Sequence, residues 1–123
     1  MIVQNVEDLE VYQKLFKLAL DIHNLTMAFP KFELYELGSQ LRRASNAAPA
    51  ILAEGFGNKH TNIYSENISR SIGEIKEVKH HLKMSNAKKY FEQETLIDFL
   101  QRYDECIRML RGLDKSLNYK HRK

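Results

Sequence analysis

Apolar residues recur at alternating intervals of three and four along nearly the whole chain, with polar residues between them. That is the period of an α-helix with one buried stripe. Val11, Leu15, Leu18, Ile22 and Leu25 predict a first helix over residues 6–28. Asn5 can cap its start, and Glu7, Asp8 and Glu10 suit the positive end of the helix dipole. Phe29-Pro30 ends it, because the residue before a proline is pushed out of the α region. Leu34, Leu37, Leu41, Ala44, Ala48 and Ile51 predict a second helix over 32–55. Its alanines let a neighbouring helix come close. Pro49 removes its own hydrogen bond to the Ser45 carbonyl, so a kink is expected there. Gly55 and Gly57 supply the stop.

Tyr64, Ile68, Ser71, Ile75, Val78 and Leu82 predict a third helix over 61–86, with Thr61 as N-cap. Gly73 interrupts it at a cost of about 1 kcal/mol relative to alanine, so it is expected to serve close packing. Leu96, Phe99, Tyr103, Cys106, Leu110, Leu113 and Leu117 predict a fourth helix over 92–118. Glu92 and Glu94 favour its N-terminus, and Arg108, Arg111 and Lys115 its C-terminus. No segment sustains the period-two alternation of a strand. Helices of this length with short connections must lie antiparallel to their neighbours. The expected fold is therefore all-α, an up-down-up-down four-helix bundle. One domain spans residues 1–119 and a basic tail occupies 120–123. A second apolar set flanks the stripes: Tyr12, Phe16 and Ala19, then Leu52 and Phe56, then Leu100, Ile107 and Met109. These either widen the stripes or face a partner, and exposed apolar area favours self-association.

At 123 residues the chain can bury a core without disulfides or metals. No apolar run approaches the roughly 18–20 residues that cross a bilayer, so no membrane contact is expected. The first residues lack a basic stretch followed by an apolar one, so no signal peptide is expected. The lone Cys106 excludes an internal disulfide and fits a reducing cytoplasm. Net charge is +3 and the pI about 9.0, with much of the excess in Lys120, His121, Arg122 and Lys123. Such a tail either holds phosphates by counterion release or is a solvated, frayed terminus.

Catalytic and metal constellations are not apparent. His80 and His81 are adjacent, so on a helix they point about 100° apart and cannot share a metal. Glu74 and Glu77 lack the Glu-x-x-His counterpart that a di-iron bundle requires. Cys106 falls on a core stripe, where cysteine acts as a small hydrophobe. Gly55-Phe56-Gly57-Asn58-Lys59 has neither the spacing nor the preceding strand of a phosphate loop. No cofactor is implied. The basic residues carry more. Lys76, Lys79 and Lys83 recur at three and four on one side of the third helix, and Lys88 and Lys89 extend the stripe. It either meets a phosphate backbone or is a solvated face offset by Glu74 and Glu77. Arg42 is a further phosphate candidate, and Arg43 is a candidate for an interhelical ion pair with Glu77.

Two stretches are familiar. One runs from Phe29-Pro30 through Glu33 and Leu37 to Gln40-Leu41-Arg42-Arg43-Ala44, and the other from Pro49 to Ala53-Glu54-Gly55. Together they resemble the bacterial four-helix-bundle family encoded in 23S ribosomal RNA intervening sequences, also labelled S23 ribosomal protein. The accessory variability determinant of diversity-generating retroelements belongs to the same group. On the third helix, Gly73, Glu77 and Val78 fit the family's G-S-x-x-E-L pattern, with Glu74 in place of its serine. Ile51 replaces an asparagine common in the family, and Asn58 an arginine. The apolar Ile51 predicts a dry contact between the second and third helices.

The resemblance implies an up-down bundle, a ring-shaped homopentamer and no enzymatic activity. It also implies work beside a reverse-transcriptase-type protein on nucleic acid. Residues and resemblance together point to a non-enzymatic oligomeric module that contacts RNA or DNA through its basic faces. The competing expectation is a structural or protein-interaction scaffold without nucleic-acid binding, in which the basic pI is incidental.

Overall fold

The computed structural model describes residues 2–122, with side chains to Asn118. Four α-helices carry the fold: α1 (Glu10–Thr26), α2 (Leu37–Gly55), α3 (Thr61–Ala87) and α4 (Gln93–Arg122). No strand occurs among the described residues. Each helix packs on its neighbours in the chain and α4 returns against α1, while the diagonal pairs make at most glancing contact. The result is the expected up-down-up-down bundle. Val11, Leu15, Leu18 and Ile22 of α1 are buried, as are Leu41, Ala44 and Ala48 of α2. They meet Tyr64, Ile68, Ile75, Val78 and Leu82 of α3 and Leu96, Phe99, Tyr103, Cys106 and Leu110 of α4. At roughly 1.5–3 kcal/mol per large side chain, this burial is the main drive to fold.

Helix ends differ from the sequence reading where side chains compete for the backbone. The first helix starts at Glu10 rather than residue 6, because Val6–Asp8 forms a separate 3-10 turn and Leu9 is extended. The Asp8 carboxylate accepts from the N–H groups of Gln4 and Asn5, each at 3.0 Å. Asn5 therefore belongs to that turn and not to the α1 cap. The second helix starts at Leu37 rather than 32. Lys31–Glu33 forms another 3-10 turn that carries Glu33 into the interior, and Leu34 is only half-buried. The helix runs through the buried Pro49 without ending. His60, not Thr61, is the N-cap residue of α3. The α4 backbone continues through positions 119–122, and the side chains of Lys120, His121, Arg122 and Lys123 lie outside the described residues.

α2 and α3 share the most extensive interface, and small residues build it. Ala48 lies against Ser71 and Gly55 against Asn67, and Ala44 and Ser45 are buried on the same helix. The Ser71 hydroxyl donates to the Ala48 carbonyl at 2.8 Å, and the Asn67 amide donates to the Ile51 carbonyl at 3.1 Å. The dry contact expected at Ile51 is thus a polar one, made through the Ile51 backbone. A Cβ on Gly55 would stand 2.6 Å from Asn67 Cβ. Close packing belongs to Gly55 and not to Gly73, which is exposed with nothing within 4 Å of an added Cβ. Leu52, read as a flanking residue, is fully buried because the α2 stripe steps 44, 48, 52. Of the other flanking residues, Ile107 joins the core, while Phe16 is 52% exposed beside the equally exposed Leu20.

The two glycines should respond in opposite senses. Gly73→Ala should stabilise the bundle by about 0.5–1 kcal/mol through helix propensity alone. Gly55→Ala should destabilise it, since Asn67 must move and its bond to Ile51 is put at risk. Urea unfolding of the two variants beside the parent chain checks both signs.

Candidate nucleic-acid interface

Antiparallel packing of α3 on α4 sets Lys76 and Lys79 opposite Arg108 and Arg111. These four cations line one open groove of about 280 Å³ together with Asp104 and Ile107. Lys79 pairs with Asp104. No carboxylate lies within ion-pair distance of Lys76, Arg108 or Arg111 among the described residues. The groove continues past Gly73, where Lys76 and Arg111 meet Ser69, Ile72 and Asp114. Asp114 accepts hydrogen bonds from Ser65 and Asn118. The missing side chain at Gly73 thus opens space beside the two cations. Lys83 is exposed one turn beyond Lys79.

Other candidates are tied into the scaffold. Arg42 bridges the α1–α2 junction: Nη1 donates to Thr26 Oγ1 at 2.9 Å and Nη2 to the Leu34 carbonyl at 2.7 Å. Arg43 pairs with Glu77, its expected partner, and with Glu74 at 3.0 Å. The two glutamates therefore face α2 and do not offset the lysines. His81 also approaches Glu77, at 3.6 Å, but burial holds its imidazole below the usual histidine range. Of the familiar motif residues, Leu41, Pro49, Gly55 and Phe29 are buried, Pro30 starts the Lys31–Glu33 turn, and Gln40 and Glu54 are exposed.

Lys88 and Lys89 lie at the end of the bundle, in the turn between α3 and α4. Lys88 Nζ pairs with Glu33 at 2.8 Å, and the Tyr90 hydroxyl donates to the same carboxylate oxygen at 2.7 Å. Phe29 packs on Tyr90 and Phe91, with ring centroids 5.1 and 6.4 Å apart. The α1–α2 and α3–α4 connections are thereby pinned together. Lys89 has a φ of 66°, a left-handed conformation that usually selects glycine after a helix. The Lys89 N–H donates to Asn86 at 2.9 Å and the Tyr90 N–H to Ser85 at 3.1 Å, which closes the helix end. A lysine in this conformation carries roughly 1–2 kcal/mol of strain that a glycine would not.

The basic groove was half legible. Lys76 and Lys79 stand out by spacing, whereas Arg108 and Arg111 read as helix-dipole partners until α4 is laid against α3. Nothing in the sequence pairs Glu33 with Tyr90, since they are far apart in the chain. The buried Cys106 thiol is pushed up to about 11 by its apolar surroundings, far from a thiolate at neutral pH. No group of three or more metal-ligating side chains occurs among the described residues. No described helix is long and apolar enough to cross a membrane.

Fold and groove define a small antiparallel helical-bundle protein with a basic face. The chain belongs to the 23S rRNA-intervening sequence protein family, whose model matches residues 7–112. The family is not one of known enzymes. No curated protein matches the chain.

Glu33 generates a pH prediction. The Lys88 ammonium and then the Tyr90 hydroxyl hold its carboxyl below the ordinary value of 4.5. A depressed carboxylate pKa stabilises the fold above the unfolded value, and that contribution fades as pH falls through the folded one. The parent chain should lose stability as pH drops below about 5. Glu33→Gln should be less stable at pH 7 and show a shallower acid limb in thermal unfolding followed from pH 7 to 3.

Proposed function

We propose that the chain is a non-enzymatic binding module that holds the phosphate backbone of RNA or DNA along the α3–α4 groove. The observation that carries this reading is the convergence of Lys76, Lys79, Arg108 and Arg111 on one open groove with Asp104 as its near acid. Flexible cations on a shallow surface suit phosphates, which need charge but little shape. Backbone contacts of this kind give affinity without base preference. Family membership and the basic pI support the same reading.

A second observation supports self-association. Phe16, Ala19 and Leu20 of α1 and Ala47 and Pro49 of α2 form an apolar strip in an open groove of about 770 Å³ between these helices, whose polar lining is His23, Ser39, Arg42, Arg43 and Asn46. An apolar strip of this kind is suited to a copy of the same chain. We assign it to the contacts of a homopentamer. A sedimentation mass near the 14.4 kDa of one chain, at about 50 μM, would remove that assignment.

Binding should fall steeply with salt. Labelled RNA and DNA titrated at several salt concentrations should give a log–log slope of about −0.7 to −0.9 per neutralised phosphate. Lys76→Ala, Arg108→Ala and Arg111→Ala should each reduce that slope by about one. Asp104→Asn should strengthen binding, because it removes the acid that competes for Lys79. Salt-insensitive binding, or none at micromolar protein, would favour the protein-scaffold alternative.

A further inference from the structure

The α3–α4 groove changes character along its length. Past Lys76 and Arg111 it runs over Ser69 and Asp114 into an open polar stretch of about 650 Å³. Hydroxyl and amide side chains line that stretch together with Glu66 and Asp114, and no cation does among the described residues. Two acids without a cation disfavour a phosphate there. Asp114 is half-buried and fixed across the seam, for its Oδ1 accepts from the Ser65 hydroxyl and, at 3.5 Å, from the Asn118 amide. Among the described residues, no side chain donates to Oδ2 and no cation lies within ion-pair distance of the carboxylate. An ionised carboxylate only accepts hydrogen bonds, so whatever meets Oδ2 in the groove must donate.

We propose that Asp114 is a ribose subsite: with a strand's phosphates on Lys76 and Arg111, its Oδ2 accepts from a 2′-hydroxyl, and the groove takes RNA in preference to DNA. The inference rests on the backbone-binding function above and deepens it, for it names the sugar of the ligand. Asp114 lies three residues beyond Arg111 on α4, about 4.5 Å along the helix axis. Successive phosphates of one strand are about 3.4 Å apart along a duplex axis, so a sugar next to a phosphate on Arg111 comes within reach of Oδ2. A hydroxyl also accepts, and the amides of Asn62 and Asn118 in the same stretch can donate to its oxygen. Deoxyribose offers the carboxylate no donor, so a DNA strand would cover a half-buried charge and leave it unpaired. Base amino groups change from one nucleotide to the next, whereas every ribonucleotide carries its hydroxyl beside the phosphate. That hydroxyl is what separates RNA from DNA at a protein surface. Charge selects the same occupant. A basic peptide would suit Glu66 and Asp114 but be repelled by the four cations beside them, and an acidic peptide the reverse. An RNA strand answers both ends of the groove. Ser65 is a positioning residue, since it acts by holding the Asp114 carboxylate.

The test titrates three labelled single strands of one sequence at fixed salt: RNA, DNA, and 2′-fluoro RNA, which keeps the sugar pucker of RNA and lacks the donor. The parent chain should bind RNA about tenfold more tightly than either of the others. Asp114→Ala should bring the three within about twofold of one another, with DNA affinity unchanged or higher because an acid has left the groove. Ser65→Ala should narrow the preference for RNA. Lys76→Ala should weaken all three strands alike. The ratio of affinities is the readout, so a general loss of charge or stability does not imitate the effect. Thermal unfolding checks that each variant is folded, and Asp114→Asn, which should also lower the ratio, serves if the alanine variant is not. RNA and DNA bound within about twofold by the parent chain would overturn the ribose subsite. So would 2′-fluoro RNA bound as tightly as RNA, or a preference that survives in the Asp114 variants. If binding were still salt-sensitive and weakened by Lys76→Ala, the backbone-binding function would stand without the subsite. Failure of all three strands to bind the parent chain would remove both readings together.

Discussion

The close approach of α2 and α3 governs the rest of the molecule. Two helices can come this near only where side chains are small, and Ala44, Ala48 and Gly55 provide that on one side. Once the backbones are close, the carbonyls of α2 are within reach of short polar side chains. Ser71 and Asn67 take them, so the contact fixes both distance and axial register. Register then decides which charges meet. Arg43 reaches Glu74 and Glu77 because α3 cannot slide along α2. An exposed pair of this kind adds little stability by itself. Its consequence is positional: it draws two acids toward α2 and leaves the far side of α3 to its lysines.

A second lock acts at the end of the bundle. Glu33 is a buried carboxylate, which is costly unless its oxygens find partners. Lys88 and Tyr90 supply them from a connection that is remote in sequence. The lock explains why α2 starts late. Residues 31–33 must turn inward to present Glu33, and Arg42 then ties the following segment through the Leu34 carbonyl. The exposed rings of Phe32 and Tyr35 are by-products of the same geometry, because residues flanking an inward-turned one are directed outward.

Much of the fold could be read from spacing alone. The stripes of α1, α3 and α4 match the buried sets almost residue for residue, since an amphipathic helix has only one way to hide a narrow apolar face. Two of the errors share one cause. Local rules place Leu34 in α2 and Asn5 at the start of α1, but other side chains claim the backbone there: Arg42 takes the Leu34 carbonyl, and Asp8 takes the Asn5 N–H. Gly73 misled in another way. A glycine inside a helix suggests close packing, but sequence cannot show on which side of the helix the neighbour lies. The candidate site was legible on α3 and illegible on α4, because Arg108 and Arg111 acquire their meaning only from what α3 sets opposite them.

A net charge of +3 understates how basic one face is, because the charges are segregated rather than mixed. Acids gather along two of the helix–helix seams. Glu74 and Glu77 serve α2–α3, while Asp21 and Glu105 close α1–α4 through Arg102 and Lys14 at 2.6 and 2.9 Å. The α1–α4 pairs bridge a thinner contact than α2–α3 makes, so neutralisation there is bound up with holding the bundle closed. What remains on the α3–α4 side is Asp104 and Asp114 against Lys76, Lys79, Arg108 and Arg111. Lys79 is answered by Asp104, and Asp114 is occupied by Ser65 and Asn118. The uncompensated field is therefore a result of how the helices pack. A chain of the same composition in another register would carry the same charge and show no such groove.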